Sequence, residues 1–219
     1  MSSKSKASGA KARKKNSGSK PALKKWAANK SDSDTRLFKD QSAWSAWLDK
    51  NHARSSGIWL RIAKKNSGLQ SVSYAEAIDA ALCYGWIDGQ KRPEGEEAWL
   101  QRFCPRSAKS IWSKINREKA VALIKSGRMM PAGEQAIEEA KGNGRWESAY
   151  DSPSRAAVPD DFESALKTSL KAKTFFETLD RANRYAVLFR IQTAKKPETR
   201  ARNIQKFIAM LERGEKIHP

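Results

Sequence analysis

From Thr35 onward the chain switches between two hydrophobic periods, and each switch marks an element. Arg36-Leu37-Phe38-Lys39 predicts a short strand. Asp40 to Asp49 then sets Trp44, Trp47 and Leu48 at i, i+3 and i+4, which is one face of a helix. After Gly57, the residues Ile58, Leu60 and Ile62 alternate with Trp59, Arg61 and Ala63, the period of a strand with one face inward. Ser73-Tyr74-Ala75-Glu76 is a capping-box pattern: hydroxyl and carboxylate each satisfy an orphan amide at a helix start. That helix turns Ile78 and Leu82 inward and stops at Gly85, where glycine favours the left-handed cap. Trp86–Arg92 and Ala98–Cys104, parted by the polar turn Pro93–Glu97, predict an antiparallel pair of strands.

Beyond Ser113 only helical periods remain. Asn116–Ser126 ends before Gly127, and Pro131, preorganised for a first helical position, opens a helix through Ala140 that Gly142-Asn143-Gly144 stops. Four further helices are predicted over Asp160–Ser169, Ala172–Leu179, Arg181–Ala194 and Pro197–Arg213. The fold class expected is α+β: a small antiparallel sheet of three to four strands with packed helices, followed by an all-helical C-terminal module. Residues 1–33 read as a disordered basic arm, 34–150 as the α+β domain ending in helices, and 151–219 as the helical module.

Charge changes this picture at one end. The net charge is +19, and ten of the 43 basic residues but none of the 24 acidic ones fall within residues 1–30. Leu23 and Trp26 are the large apolar side chains there, too little surface to offset the entropy of ordering. Such lopsided charge attracts polyanions, or simply keeps the chain in solution. Lys11–Lys15 (KARKK) has the composition of a nucleic-acid or nuclear-import patch. No apolar run approaches the roughly 20 residues of a membrane-spanning helix, so no span is expected. Two cysteines, Cys83 and Cys104, have no metal-site spacing and suggest a reducing compartment, read as the cytoplasm, or the nucleus in a eukaryotic cell.

Candidate chemistry gathers between Trp86 and Lys125. Arg102, Arg106, Lys109, Lys114, Arg117, Lys119 and Lys125 face one acid, Glu118, with Trp99, Phe103 and Trp112 interleaved. Cations and stacking rings suit single-stranded nucleic acid. They equally suit a small anion, gripped by Arg102 and Arg106 beside Trp112, with amides of Ser113 and Asn116 at a helix start as further donors. The plainest alternative is core aromatics with solvated cations. Trp86 and Asp88 form a possible pocket; Asp88 stands in apolar company as a structural ion-pair partner or a base. Lys195, Lys196 and Arg200 are a second basic patch or a solvated helix face. His52 and His218 stand in no triad or metal arrangement, and no phosphate-binding glycine motif occurs, so no cofactor, metal or catalytic residue is assigned.

Several ordered blocks resemble the YdeI/OmpD-associated ("bacteriocin-protection") family. They are Leu82-Cys83-Tyr84-Gly85-Trp86-Ile87-Asp88-Gly89-Gln90, Arg102-Phe103-Cys104-Pro105-Arg106, and Ser110-Ile111-Trp112-Ser113-Lys114-Ile115-Asn116-Arg117. Gly127-Arg128-Met129 with Pro131-Ala132-Gly133, Gly144-Arg145-Trp146 with Ala149-Tyr150, and Ala194-Lys195-Lys196-Pro197-Glu198-Thr199-Arg200 continue the series. The resemblance implies a cytosolic protein linked by name to bacteriocin tolerance and an outer-membrane porin, with no established reaction and no catalytic residues to carry over. The basic arm lies outside it, and Asn203 stands where the family tends to have another basic residue. The function expected is therefore a non-enzymatic binding or stress-tolerance protein with an Arg/Trp-lined anion-binding surface. The alternatives are a nucleic-acid-associated protein using the arm, or an enzyme on a small anionic substrate through Asp88 or Cys83. The ligand and the oligomeric state are left open.

Deleting residues 1–33 tests the share of the arm. The truncated chain should leave a heparin column at lower salt, and its binding to single-stranded oligonucleotides should lose part of its salt dependence. Unchanged behaviour would place polyanion attraction in the domain instead.

Overall fold

Trp44 and Leu48, one helical turn apart and wholly buried, form the floor on which the sheet is laid. The computed structural model describes Met1 and residues 34–219, so the predicted arm lies outside the described residues from position 2 to 33. The first elements are β1 (Thr35–Leu37), α1 (Gln41–Asn51), β2 (Ile58–Ala63) and α2 (Tyr74–Cys83). β3 (Trp86–Glu94), β4 (Ala98–Pro105), α3 (Lys114–Lys125) and α4 (Pro131–Gly142) follow.

The strands lie in the order β1-β2-β4-β3. β2 and β3 run antiparallel to β4, but β1 runs parallel to β2, so the sheet is mixed where a wholly antiparallel one was expected. The reason is the connection: α1 carries the chain back to the end where β1 began, as parallel pairing requires. Ile58, Leu60 and Ile62 face inward as their alternation predicts, and Phe103 joins them opposite Ile58. A ring cluster fills the space beneath, with Trp44 5.2 Å from Phe38, 5.7 Å from Phe103 and 6.3 Å from Trp86.

The register of β3 slips between Asp88 and Lys91. Such a bulge frees backbone carbonyls, and the buried Gln101 amide donates to those of Gly89 (2.9 Å) and Gln90 (3.2 Å). The capping box forms as predicted: Ser73 Oγ accepts from Glu76 N while a Glu76 carboxylate oxygen accepts from Ser73 N. At the far end of α2, Gly85 takes φ +70°, and α4 approaches so closely that Gly133 lies against the carbonyls of Leu82 and Cys83.

Four helices complete the chain: α5 (Asp160–Lys167), α6 (Leu170–Thr178), α7 (Arg181–Gln192) and α8 (Pro197–Glu212). They enclose a separate cluster in which Phe162, Phe176, Val187, Ile191, Phe207 and Leu211 are buried. The first cluster runs from Phe38 to Ala149. Between the two, a set of polar contacts gathers on Asp151. Its carboxylate meets Lys114 Nζ (2.8 Å) and Gln192 Nε2 (2.8 Å), and its carbonyl accepts from Tyr185 Oη (3.0 Å).

Gly133→Ala should cost about 1–3 kcal/mol in urea unfolding, because a methyl group would drive α4 off the end of α2. Gly142→Ala meets open space and should be neutral or stabilising by roughly 0.5–1 kcal/mol.

Candidate functional site: a buried guanidinium at the sheet edge

The end of β4 delivers Arg106 to a junction of four elements. Its backbone N–H donates to Gly85 O (2.9 Å), which fixes the strand end against the turn after α2. The guanidinium carbon lies 3.5 Å from the centre of the Trp112 ring, and Nη1 donates to Ile111 O (3.3 Å). Nε and Nη2 are buried without a hydrogen-bond partner among the described residues. Burial lowers the pKa of Arg106 to about 10; Tyr150 and Asp88 partly offset this, while Arg145 adds to it.

Those neighbours come from distant parts of the chain. Asp88 sits at the edge strand β3, and its Oδ2 accepts from Tyr74 Oη at 2.6 Å. Tyr74 is the first residue of α2, so the capped helix start aims its phenol at the sheet edge. Partial burial pushes the phenol of Tyr74, a residue still 40% exposed, well above its usual range, and the bond to Asp88 adds to that. Tyr150 is raised too, by burial first and then by Asp88, against the opposing pull of Arg106 and Ser113. Trp112 O accepts from Tyr150 N (3.0 Å) and Tyr150 O accepts from Lys114 N (2.9 Å), a short bridge that holds the ring in place.

The predicted residues divide around this junction. Arg106, Trp112, Ser113 and Asp88 lie at or beside it. Trp86 is instead a core ring, 1% exposed, whose Nε1 donates to His52 O (3.2 Å). Arg102 follows strand alternation to the face opposite Phe103, with its guanidinium 5.9 Å from the Trp59 ring and Nη1 buried without a partner among the described residues. The helix-start amides are already used: Asn116 N donates to Ser113 Oγ (3.1 Å) and Lys114 N to Tyr150 O. Phe103 and Trp112 are buried, so neither offers a face for stacking a base. Within the same basic stretch, Lys114 pairs with Asp151, Lys119 with Asp79, and Arg117 Nη1 donates to Trp146 O.

The second basic patch divides likewise. Arg200 grips Asp161 through Nε (2.6 Å) and Nη2 (2.8 Å) and joins α8 to α5, whereas Lys195 and Lys196 are exposed. Tyr74, Tyr150 and Arg145 were missed. Tyr74 was legible only as part of a capping box, and Tyr150 and Arg145 lie in turn-rich sequence with no period. No group of three or more His, Cys, Asp or Glu positioned for a metal occurs among the described residues, and no helix there is long and apolar enough to cross a membrane.

Two family models match the chain. Residues 36–136 match a domain of unknown function (DUF8412), and residues 155–214 match the family described as "Bacteriocin-protection, YdeI or OmpD-Associated". The second match is the family that the sequence blocks resemble, and it covers α5 to α8. Of those blocks, only Ala194–Arg200 falls inside it, while most of the others fall in the first match. No curated protein and no solved structure matches the chain.

All four tyrosines have raised pKa values, with burial as the first cause; Tyr185 is pushed up to about 12. At pH 10, phenolate absorbance of the native chain should therefore be small, while the chain in urea should show about half its phenols ionised. The native state holds these protons more tightly than the unfolded chain does. This stabilisation is complete below the unfolded phenol pKa of about 10, and it is lost as pH rises above that value through the folded ones. A native titration matching free tyrosine would contradict the burial.

Proposed function

Starting from a chain whose residues 155–214 match the YdeI/OmpD-associated family model, we propose that it is a non-enzymatic binding protein that holds a small oxyanion on the free edge of Arg106. One comparison within the molecule carries this reading. Arg61, Arg200 and Arg213 each use Nε and Nη2 together to grip a carboxylate, that of Glu94, Asp161 and Glu215 respectively. The same pair of donors on Arg106 is buried and unmatched, although it has the fork geometry that carboxylates and phosphates fit. Asp88 is near enough to favour the charged form of Arg106, but no ion pair joins the two among the described residues.

The surroundings favour binding over reaction. Burial raises the pKa of both Cys83 and Cys104, which keeps the thiols protonated and poorly nucleophilic. The phenols beside Arg106 are raised too, so they serve as hydrogen-bond donors rather than bases. A bound oxyanion would compensate a guanidinium that now bears the cost of burial, and that gain would appear as affinity.

Arg106→Met provides the test, since it keeps the stack on Trp112 but removes the charge. The amide NMR shifts that phosphate or acetate induces beside Arg106, at Trp112 and Tyr150, should disappear, while stability to urea should stay level or rise by about 1 kcal/mol, as when an unpaired buried charge is replaced by an apolar chain. Loss of stability with binding intact would make Arg106 a structural residue and end the proposal. Oligonucleotide binding that survives Arg106→Met would belong to other cations of the chain.

A further inference from the structure

A second feature lies where the two hydrophobic clusters meet. A cleft of about 310 Å³ opens there, at the lower end of the size range for small-molecule sites. Ile111, Gly144, Arg145 and Ser148 line it from one side, and Thr193 and Lys195 from the other. No carboxylate among the described residues lines it.

Arg145 gives the cleft its chemistry. The residue is only 6% exposed, yet it forms no salt bridge among the described residues. Neutral acceptors hold it instead: Nε donates to Asn143 Oδ1 (2.6 Å), and Nη1 to Ser107 O (3.1 Å) and Ser110 O (2.8 Å). These bonds fix the orientation of the guanidinium without neutralising it. As a like charge nearby, it disfavours the charged form of Arg106. Lys195, on the opposite wall, is exposed and forms no salt bridge among the described residues either.

A buried, hydrogen-bonded cation and an exposed one across a cleft that no acid among the described residues lines have the electrostatics of an anion site. We propose that this cleft binds a small oxyanion, a phosphate or a short carboxylate, between Arg145 and Lys195, with any carbon skeleton against Ile111. Occupancy would join the two clusters, because the ligand would touch both walls and add to the polar contacts of Asp151 and the Tyr150–Phe189 ring contact. The glycine-flanked turn Gly142-Asn143-Gly144 ends α4 and also holds Arg145, since Asn143 Oδ1 is the acceptor for its Nε. This site is separate from the free edge of Arg106, and either one can fail without the other.

The test is a titration of the full-length ¹⁵N-labelled chain with sodium phosphate, and in parallel with succinate, at constant ionic strength. Saturable shifts at the amides of Gly144, Ser148, Thr193 and Ala194 are expected with at least one probe. Lys195→Glu, at an exposed position, should weaken that binding about tenfold by removing one charge-assisted contact. Ser148→Trp, also at an exposed position, should block it by filling the cleft, and Arg106→Met should leave it in place. The proposal is overturned if neither probe gives saturable shifts at these amides, or if the shifts persist unchanged in both Lys195→Glu and Ser148→Trp. Shifts confined to the surroundings of Arg106 would also overturn it, while supporting the other site.

Discussion

The main-chain bridge between Ser113 and Tyr150 is the contact on which the arrangement turns. Two hydrogen bonds, Tyr150 N to Trp112 O and Lys114 N to Tyr150 O, tie the loop before α3 to the segment leaving the first cluster. They satisfy a helix-start amide that would otherwise need water or a ligand. They set Ala149 into the first core and place the Tyr150 ring beside Arg106. The next residue, Asp151, then meets Lys114 on one side and Gln192 and Tyr185 on the other. The Tyr150 ring also packs edge-on to Phe189 of α7, with centroids 5.0 Å apart. One short bridge thus serves the cap of α3, the sheet-edge site and the seam with the helical module.

Positive charge is handled unevenly around that bridge. Most basic side chains near it are matched: Lys114 to Asp151, Lys119 to Asp79, Arg155 to Glu118, Arg200 to Asp161. Arg106 and Arg145 are not, and they lie close enough for one to depress the ionisation of the other. Two unpaired guanidinium groups in partly dry surroundings cost stability that apolar side chains would not. Departures from local consistency of this kind concentrate where a protein binds something. That is the common ground of the two proposals, although each rests on its own geometry: an unmatched fork at the sheet edge and an acid-free cleft at the seam.

The fold was largely legible because its elements are local. Trp44 and Leu48 define α1 by spacing, Ser73 and Glu76 start α2 by reciprocal hydrogen bonds, and Pro131 and Gly142 bracket α4. Parallel pairing of β1 with β2 was not legible, because strand direction depends on where α1 returns the chain. The candidate site was only half legible. Composition singled out Arg106 and Trp112, but it could not tell Trp86, a core ring, from a pocket wall, nor separate Arg102 from Arg106 across the sheet. Tyr74 and Tyr150 are 76 positions apart in sequence, and no periodicity relates them.

The amino-acid sequence by itself determined the succession of strands and helices, the inward faces of α1, β2 and α2, the capping box of α2, and an excess of positive charge. All of these follow from interactions within about one helical turn or along one strand. The tertiary structure alone decided which cations find carboxylates and which stay unmatched. Ion pairing depends on atoms brought together from distant segments, as Lys119 with Asp79 and Arg200 with Asp161 show. Folding therefore singles out, among the basic residues of the domain, the unmatched edge of Arg106 and the guanidinium of Arg145 at the seam.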